Sequence, residues 1–253
     1  MDASLNSSLV EKELRSLADP VKARLLAGFF KTGKGEYGEG DIFLGITVPV
    51  QRRVAKKFCA LYLSKVDQFE PMVLMEVGKL LASPIHECRL TALEILVMQY
   101  ERAKRDENIS LQRDIVAFYL KHTKHINNWD LVDASAPYIL GDWLLDHDRP
   151  ILYELVYSKN IWERRIAIIS TFAFIRVGQL EDSLRLARIL LKDEHDLIHK
   201  AVGWMLREVG KRDEKVLVRF LNAHATKMPR TMLRYAIERF PEDKRLMYLN
   251  VGK

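Results

Sequence analysis

Trp129 and Asp133 stand four residues apart in the stretch Asn127-Asn128-Trp129-Asp130-Leu131-Val132-Asp133. At helical spacing they share a face, so an aromatic ring and a carboxylate point the same way one turn apart. Such a pair can hold a cationic group against the ring and set an anion beside it. Asp130 lies three residues before Asp133, near that face. Asn127 or Asn128 can cap the helix, which puts Asp130 in the first turn, against the positive end of the helix dipole. Capping geometry therefore explains Asp130 without any chemistry. It does not explain Asp133, which lies one turn further in among Leu131, Val132, Ala134 and Ala136. A carboxylate with such neighbours is either paired or functional.

The rest of the chain is unlike this acidic, aromatic spot. It has 253 residues, a net charge of +6 and a pI near 9.2, a balance that favours anionic partners. With 48% hydrophobic and 29% charged residues, it reads as a soluble globular protein. The two cysteines, Cys59 and Cys88, form no CxxC pair, so the expected setting is a reducing cytosol. Met1 to Leu17 has no uninterrupted apolar stretch and does not read as a secretory signal. No run of residues suits a membrane span, and no membrane partner is expected. No metal or other cofactor is expected either. His195 and His199 lack a third ligand at useful spacing, His122 and His125 are similar, and no glycine-rich phosphate cradle or HExxH is present.

The elements that must position Trp129 and Asp133 read at helical period. Leu90, Leu93, Leu96 and Val97 form one apolar stripe; Ile166, Ile169, Ala173 and Phe174 another; Ala201, Trp204, Met205 and Val209 a third. Gly33 to Gly45 reads as an ordered loop between helices, with Ile42, Phe43 and Leu44 packing in its middle. Similar helix starts recur. Arg53 and Arg89 stand 36 residues apart, Arg165 and Lys200 35, and Lys200 and Arg230 30. A degenerate period in the thirties predicts an all-α fold, a right-handed α-solenoid of HEAT-like repeats with a concave basic groove. One repeat domain over 1–253 is expected, with N-terminal helices and the glycine-rich loop in 1–45 and repeats in 46–245. Arg53, Arg89, Arg165, Lys200 and Arg230 would line the groove as a track for a phosphate backbone. The bland alternative is a set of solvated surface pairs.

Aligning Trp129 with Trp162 sets Val132 opposite Arg165, so this repeat alone lacks the basic residue and carries carboxylates instead. Trp204 is the second notable aromatic. By default it is core; adjacent repeats could instead bring Trp129, Asp133, Arg165 and Trp204 to one point.

These residues resemble a known family. Asn127 to Asp133, Ile161-Trp162-Glu163-Arg164-Arg165-Ile166-Ala167 and Lys200-Ala201-Val202-Gly203-Trp204-Met205-Leu206-Arg207-Glu208 are similar to motifs of the bacterial DNA alkylation repair glycosylases built from HEAT-like repeats. Phe43-Leu44-Gly45-Ile46, with Pro49, Arg52 and Arg53, looks like that family's N-terminal signature. The resemblance implies a monofunctional, monomeric glycosylase that removes cationic alkylpurines, such as 3-methyladenine and 7-methylguanine, from double-stranded DNA. It implies Asp133 as the catalytic carboxylate, Trp129 and Trp204 as the rings packed on the lesion's deoxyribose, and Arg165 as the arginine at the site. Tyr37 matches a DNA contact, although its spacing to Phe43 is shifted by a residue. The segment Gly33 to Asp41 departs from the pattern in its glycine and acid content, and Glu36, Glu39 and Asp41 would repel phosphate if they faced a groove.

Two other functions compete with the enzyme. One is a HEAT-repeat module that binds branched or unusual DNA without catalysis. The other is a scaffold whose basic groove takes an acidic peptide.

Overall fold

The computed structural model describes residues 6–63 and 71–251; of the Met1 to Leu17 segment, residues 1–5 lie outside this range. The chain divides into two compact units, Met1–Ser135 and Ala136–Lys253. Both are helical, and among the described residues the sole β-pairing is an isolated parallel bridge between Ile42 and Ile85. The fold is all-α, a succession of helix pairs of the kind that repeat solenoids stack.

The first unit holds α1 (Ser7–Ser16), α2 (Pro20–Phe29), α3 (Val48–Leu63), α4 (Pro71–Leu81), α5 (His86–Arg105), α6 (Ile109–Lys121) and α7 (Trp129–Ser135). Side-chain caps start several of them. Asn6 accepts from Ser8 N, and Asn108 from Leu111 N. Asp19 accepts from Val21 N and Lys22 N, with Pro20 supplying a first-turn residue that needs no donor. Helix α5 is the centre of the unit, with α1, α3, α4, α6 and α7 packed on it. It is buried on every face along its first three turns, and Leu90, Leu93, Leu96 and Val97 all lie in the core.

The glycine-rich loop is ordered and tied to the start of α5. Ile42 N donates to Pro84 O, and His86 N to Ile42 O. Phe43 and Leu44 are buried as the sequence predicts, but the Ile42 side chain is exposed because its backbone faces α5 instead. Gly45 takes a left-handed φ of 86° and lies so close to α2 that a Cβ would stand 2.6 Å from Ala23 N. That combination of φ and close approach admits glycine alone.

The second unit begins with a π-turn (Pro137–Gly141). It continues through α8 (Pro150–Leu155), α9 (Ile161–Arg176), α10 (Glu181–Ile189), α11 (Asp196–Arg212), α12 (Glu214–His224), α13 (Arg230–Ala236) and α14 (Glu242–Asn250). Helix α9 packs on the π-turn, α8, α10 and α11, and α11 packs on α12 and α13. Ile166, Ile169, Ala173 and Phe174 of α9 are buried, as are Ala201, Met205 and Val209 of α11. A Cβ on Gly203 would lie 2.5 Å from the Tyr235 Cβ, so α11 and α13 meet there almost backbone to backbone.

Candidate active site

Helix α7 carries Trp129 and Asp133, both half-buried. Asn128 sets its start: its buried side chain accepts from Trp129 N at 2.8 Å, and its carbonyl accepts from Val132 N. The Trp129 ring is fixed by neighbours. It stacks on Phe30 at 5.2 Å and 14°, and Phe29 meets it edge-on at 6.0 Å. Phe43 stacks on Phe30 at 5.0 Å, and His86 on Phe43 at 4.6 Å. Held this way, the indole has one orientation to offer a ligand, which lowers the entropy lost on contact. Asp133 stands one turn on. Its charge is felt by the fully buried Tyr119, whose hydroxyl pKa is raised first by burial and further by Asp133. Tyr119 also locks α6 to α7 through a 3.0 Å hydrogen bond to Ser135 Oγ.

Asp130 has a larger role than a helix-start residue. Its Oδ2 accepts from His86 Nε2 at 2.8 Å, and Asp41 Oδ2 lies 3.3 Å from His86 Nδ1. Arg89 Nη2 pairs with the same Asp41 oxygen at 2.6 Å. Burial opposes charge on the His86 ring, but hydrogen bonds and attraction from Asp130, with help from Asp41, outweigh it and raise the pKa to about 9. The ring is therefore a buried imidazolium at neutral pH, donating from both nitrogens. Burial likewise pushes the Asp41 carboxyl up, while the hydrogen bond from His86 and the Arg89 guanidinium bring it below its ordinary value. Two anions and two cations thus join the loop, α5 and α7, and they place the start of the helix that bears Trp129.

Beside them lies Glu87, only 1% exposed. Its carboxylate accepts from Leu44 N, Gly45 N and Ile46 N at 2.8–3.2 Å, a cradle of three backbone donors around one buried anion. Glu36 and Glu39 serve the same loop, accepting from Gly33 N and Gly35 N. The acids that would repel phosphate are thus engaged in folding the loop. Tyr37, between them, is half-buried.

In the second unit, Arg165 is 5% exposed and donates from Nη1 to Leu197 O at 2.6 Å. Trp204 is half-buried. Its Nε1 donates to Glu208 Oε1 at 3.2 Å, and its ring stands 5.7 Å from Phe172. Glu208 in turn pairs with Lys211. Trp204 therefore sits at the edge of its helix stripe, held by a carboxylate four residues on.

The five aligned basic residues do not occupy equivalent places. Arg53 is the sixth residue of α3, Arg89 the fourth of α5, Arg165 and Lys200 the fifth of α9 and α11, and Arg230 the first of α13. At 3.6 residues per turn those offsets turn side chains to different faces. Arg53 and Arg230 are exposed, with Arg230 Nη2 on Leu249 O. Lys200 is paired with Asp196. Arg89 turns inward, 4% exposed, with Asp41 and Ser83 O as its partners. This is a brace for the loop and not a surface for phosphate.

The sequence pattern singles out neither His86 nor Glu87, and it marks Asp41 only as a charge that would repel phosphate. The available signal was His86, Glu87, Arg89 and Glu94 crowded into the first three turns of a helix whose other residues there, Thr91 apart, are apolar; buried charges in such a stretch must pair. His195 and His199 serve the backbone, His195 capping α11 through Leu197 N and His199 meeting Asp193 O. Among the described residues no cluster of three or more His, Cys, Asp or Glu side chains could hold a metal, and no helix is long and apolar enough to cross a membrane.

Comparison with known proteins gives two positive findings. A family model described as DNA alkylation repair enzyme matches residues 10–240. A solved structure, "Predicted DNA alkylation repair enzyme from Enterococcus faecalis", is similar over 89% of this chain and 97% of that chain, with a TM-score of 0.69 and 17% identity. At that identity the likeness speaks for the fold. No curated protein matches this chain.

Proposed function

We propose that this chain, which belongs to the DNA alkylation repair enzyme family, is a monofunctional DNA glycosylase that excises cationic N3- and N7-alkylated purines from duplex DNA. Family membership gives it a role in repairing alkylated DNA. The observation that carries the finer reading is the pairing of Trp129 and Asp133 on one face of α7, half-buried, with the indole held by Phe29 and Phe30.

A purine alkylated at N3 or N7 is already a good leaving group, so little acid catalysis is needed. Breaking the N-glycosidic bond develops oxocarbenium character on the sugar. An ionised Asp133 stabilises that charge and orients or deprotonates the attacking water. Trp129 packs on the deoxyribose and excludes bulk water. In the second unit, Trp204 is a further ring for the duplex and Arg165, beside Leu197 O, a partner for phosphate. Arg53, Lys200, Arg230 and Tyr37 hold the duplex backbone, with affinity that falls as salt rises. Arg89 is left out of that set because it braces the loop.

The test is release of 7-methylguanine from methylated duplex DNA by the wild type and by Asp133→Asn. Release by the wild type and its loss, by about a hundredfold or more, in the variant supports the assignment. No release by either protein removes the enzyme reading and favours a non-catalytic DNA-binding module. Equal release by both retains the enzyme and removes Asp133 from its mechanism.

A further inference from the structure

A cavity of about 320 Å³ opens in the first unit beneath α2. Its walls include Leu25, Phe29, Phe30, Phe43 and Leu90. Volume and apolar lining are those of a small-molecule site. At its mouth, Leu25 and Phe29 are 69% and 64% exposed, apolar surface that a ligand would cover.

The charged groups of the lining are already matched inside the protein. Lys22 pairs with Asp19 at 3.0 Å, His86 with Asp130 at 2.8 Å, and Glu87 with three backbone donors. No unmatched charge is left to repay the desolvation of an ion, so an uncharged ligand is favoured. Gln51 behaves differently. It is 3% exposed, its Nε2 donates to Ile46 O at 2.7 Å, and its Oε1 has no hydrogen-bond partner. Among the described residues it is the one cavity-lining side chain with a buried polar atom in that state. A buried acceptor without a donor is costly, and a ligand N–H would relieve it. Phe30 and Phe43 are already stacked on each other, and Phe30 on Trp129, so the ring free to meet a flat ligand is the exposed Phe29, which stands at 88° to Phe30.

We propose that this cavity binds an uncharged planar heterocycle of nucleobase size, its ring against Phe29 and an N–H donated to Gln51 Oε1. In a member of a DNA alkylation repair family, the ligand of that chemistry is a nucleobase, either free or unpaired from a strand. A cationic alkylpurine is disfavoured here, so the ligand differs in charge from the one proposed for the neighbouring Trp129–Asp133 face, with which the cavity shares Phe29 and Phe30, and the cavity stands whether or not Asp133 is catalytic.

The probe is 2-aminopurine, whose fluorescence falls on stacking. One arm titrates the free base; the other titrates a duplex with a single unpaired 2-aminopurine. Saturable quenching is expected with a Kd below about 1 mM in at least one arm, and the arm that saturates identifies the source. Leu25→Trp adds bulk at an exposed position at the mouth and should abolish the quench. Gln51→Leu should weaken it about tenfold, the loss of one hydrogen bond. Failure to saturate in both arms would overturn the proposal, as would quenching that is unchanged by Leu25→Trp.

Discussion

The buried His86 predicts a pH dependence of stability that can be worked out from its partners. Its pKa rises from 6.5 in the unfolded chain to about 9 in the folded protein. A group raised in this way contributes its full stabilisation below pH 6.5 and loses it as pH climbs through 9. At 1.36 kcal/mol per pKa unit the contribution is about 3 kcal/mol, a large share of the roughly 5–15 kcal/mol that a domain has in total. Other shifted groups fall outside this window. His125, His195 and His224 have lowered values, so their effects lie below pH 6.5. Cys59 and Cys88 are pushed up to about 11 and 12, so their effects begin above pH 9. Asp41 is lowered, and its contribution is lost only as pH falls below the ordinary carboxylate range. Urea denaturation followed by far-ultraviolet circular dichroism, at intervals from pH 6 to 8.5, should show a falling midpoint with a near-constant m-value. His86→Gln keeps a polar side chain and removes the titration, so its midpoint should start lower and stay flat. A parallel decline in wild type and variant would refute the assignment of the charge to His86.

Glu87→Ala strands three buried backbone donors and should cost on the order of 4 kcal/mol, read from the urea midpoint; a loss under about 1 kcal/mol would mean the cradle relaxes around water. Gly45→Ala forces a Cβ into a left-handed residue that abuts α2, and should lower stability by about 2 kcal/mol or more; an unchanged melting temperature would contradict the close approach. Arg53→Glu should weaken binding to any duplex and reduce the salt slope of log K by roughly one to two, measured by fluorescence anisotropy at several salt concentrations. Unchanged duplex affinity would remove α3 from the DNA-binding surface.

Much of the helical order was legible. Leu90, Leu93, Leu96, Ile166, Ile169 and Met205 declare their faces by spacing alone, because a 3.6-residue period leaves few other ways to bury them. The Asn128 start of α7 was legible for the same local reason. The companions of Asp130 were not. His86 lies 44 residues away, and no local rule links a helix-start carboxylate to an imidazole across the unit. Arg89 and Arg53 look alike in a linear alignment, yet they fall two positions apart in their helices, and that offset is enough to turn one inward. Trp204 illustrates the limit of periodicity in the other direction: the stripe includes it, while Glu208, one turn on, keeps its indole nitrogen at the edge.

The Glu87 cradle also bears on timing. The backbone donors at residues 44–46 precede their acceptor by more than 40 positions, and Asp41 precedes Asn128, its most distant contact, by 87. During synthesis at about 5–20 residues per second, the loop waits roughly 2–9 s for Glu87 to be made and longer for α7. Until then Phe43, Leu44 and Ile46 have only earlier partners around α2, such as Phe30 and Asp19, and their backbone donors lack the carboxylate. A nascent chain paused between residues 46 and 87 therefore presents a greasy, unclosed segment, and this interval is where a ribosome-associated chaperone has most to protect.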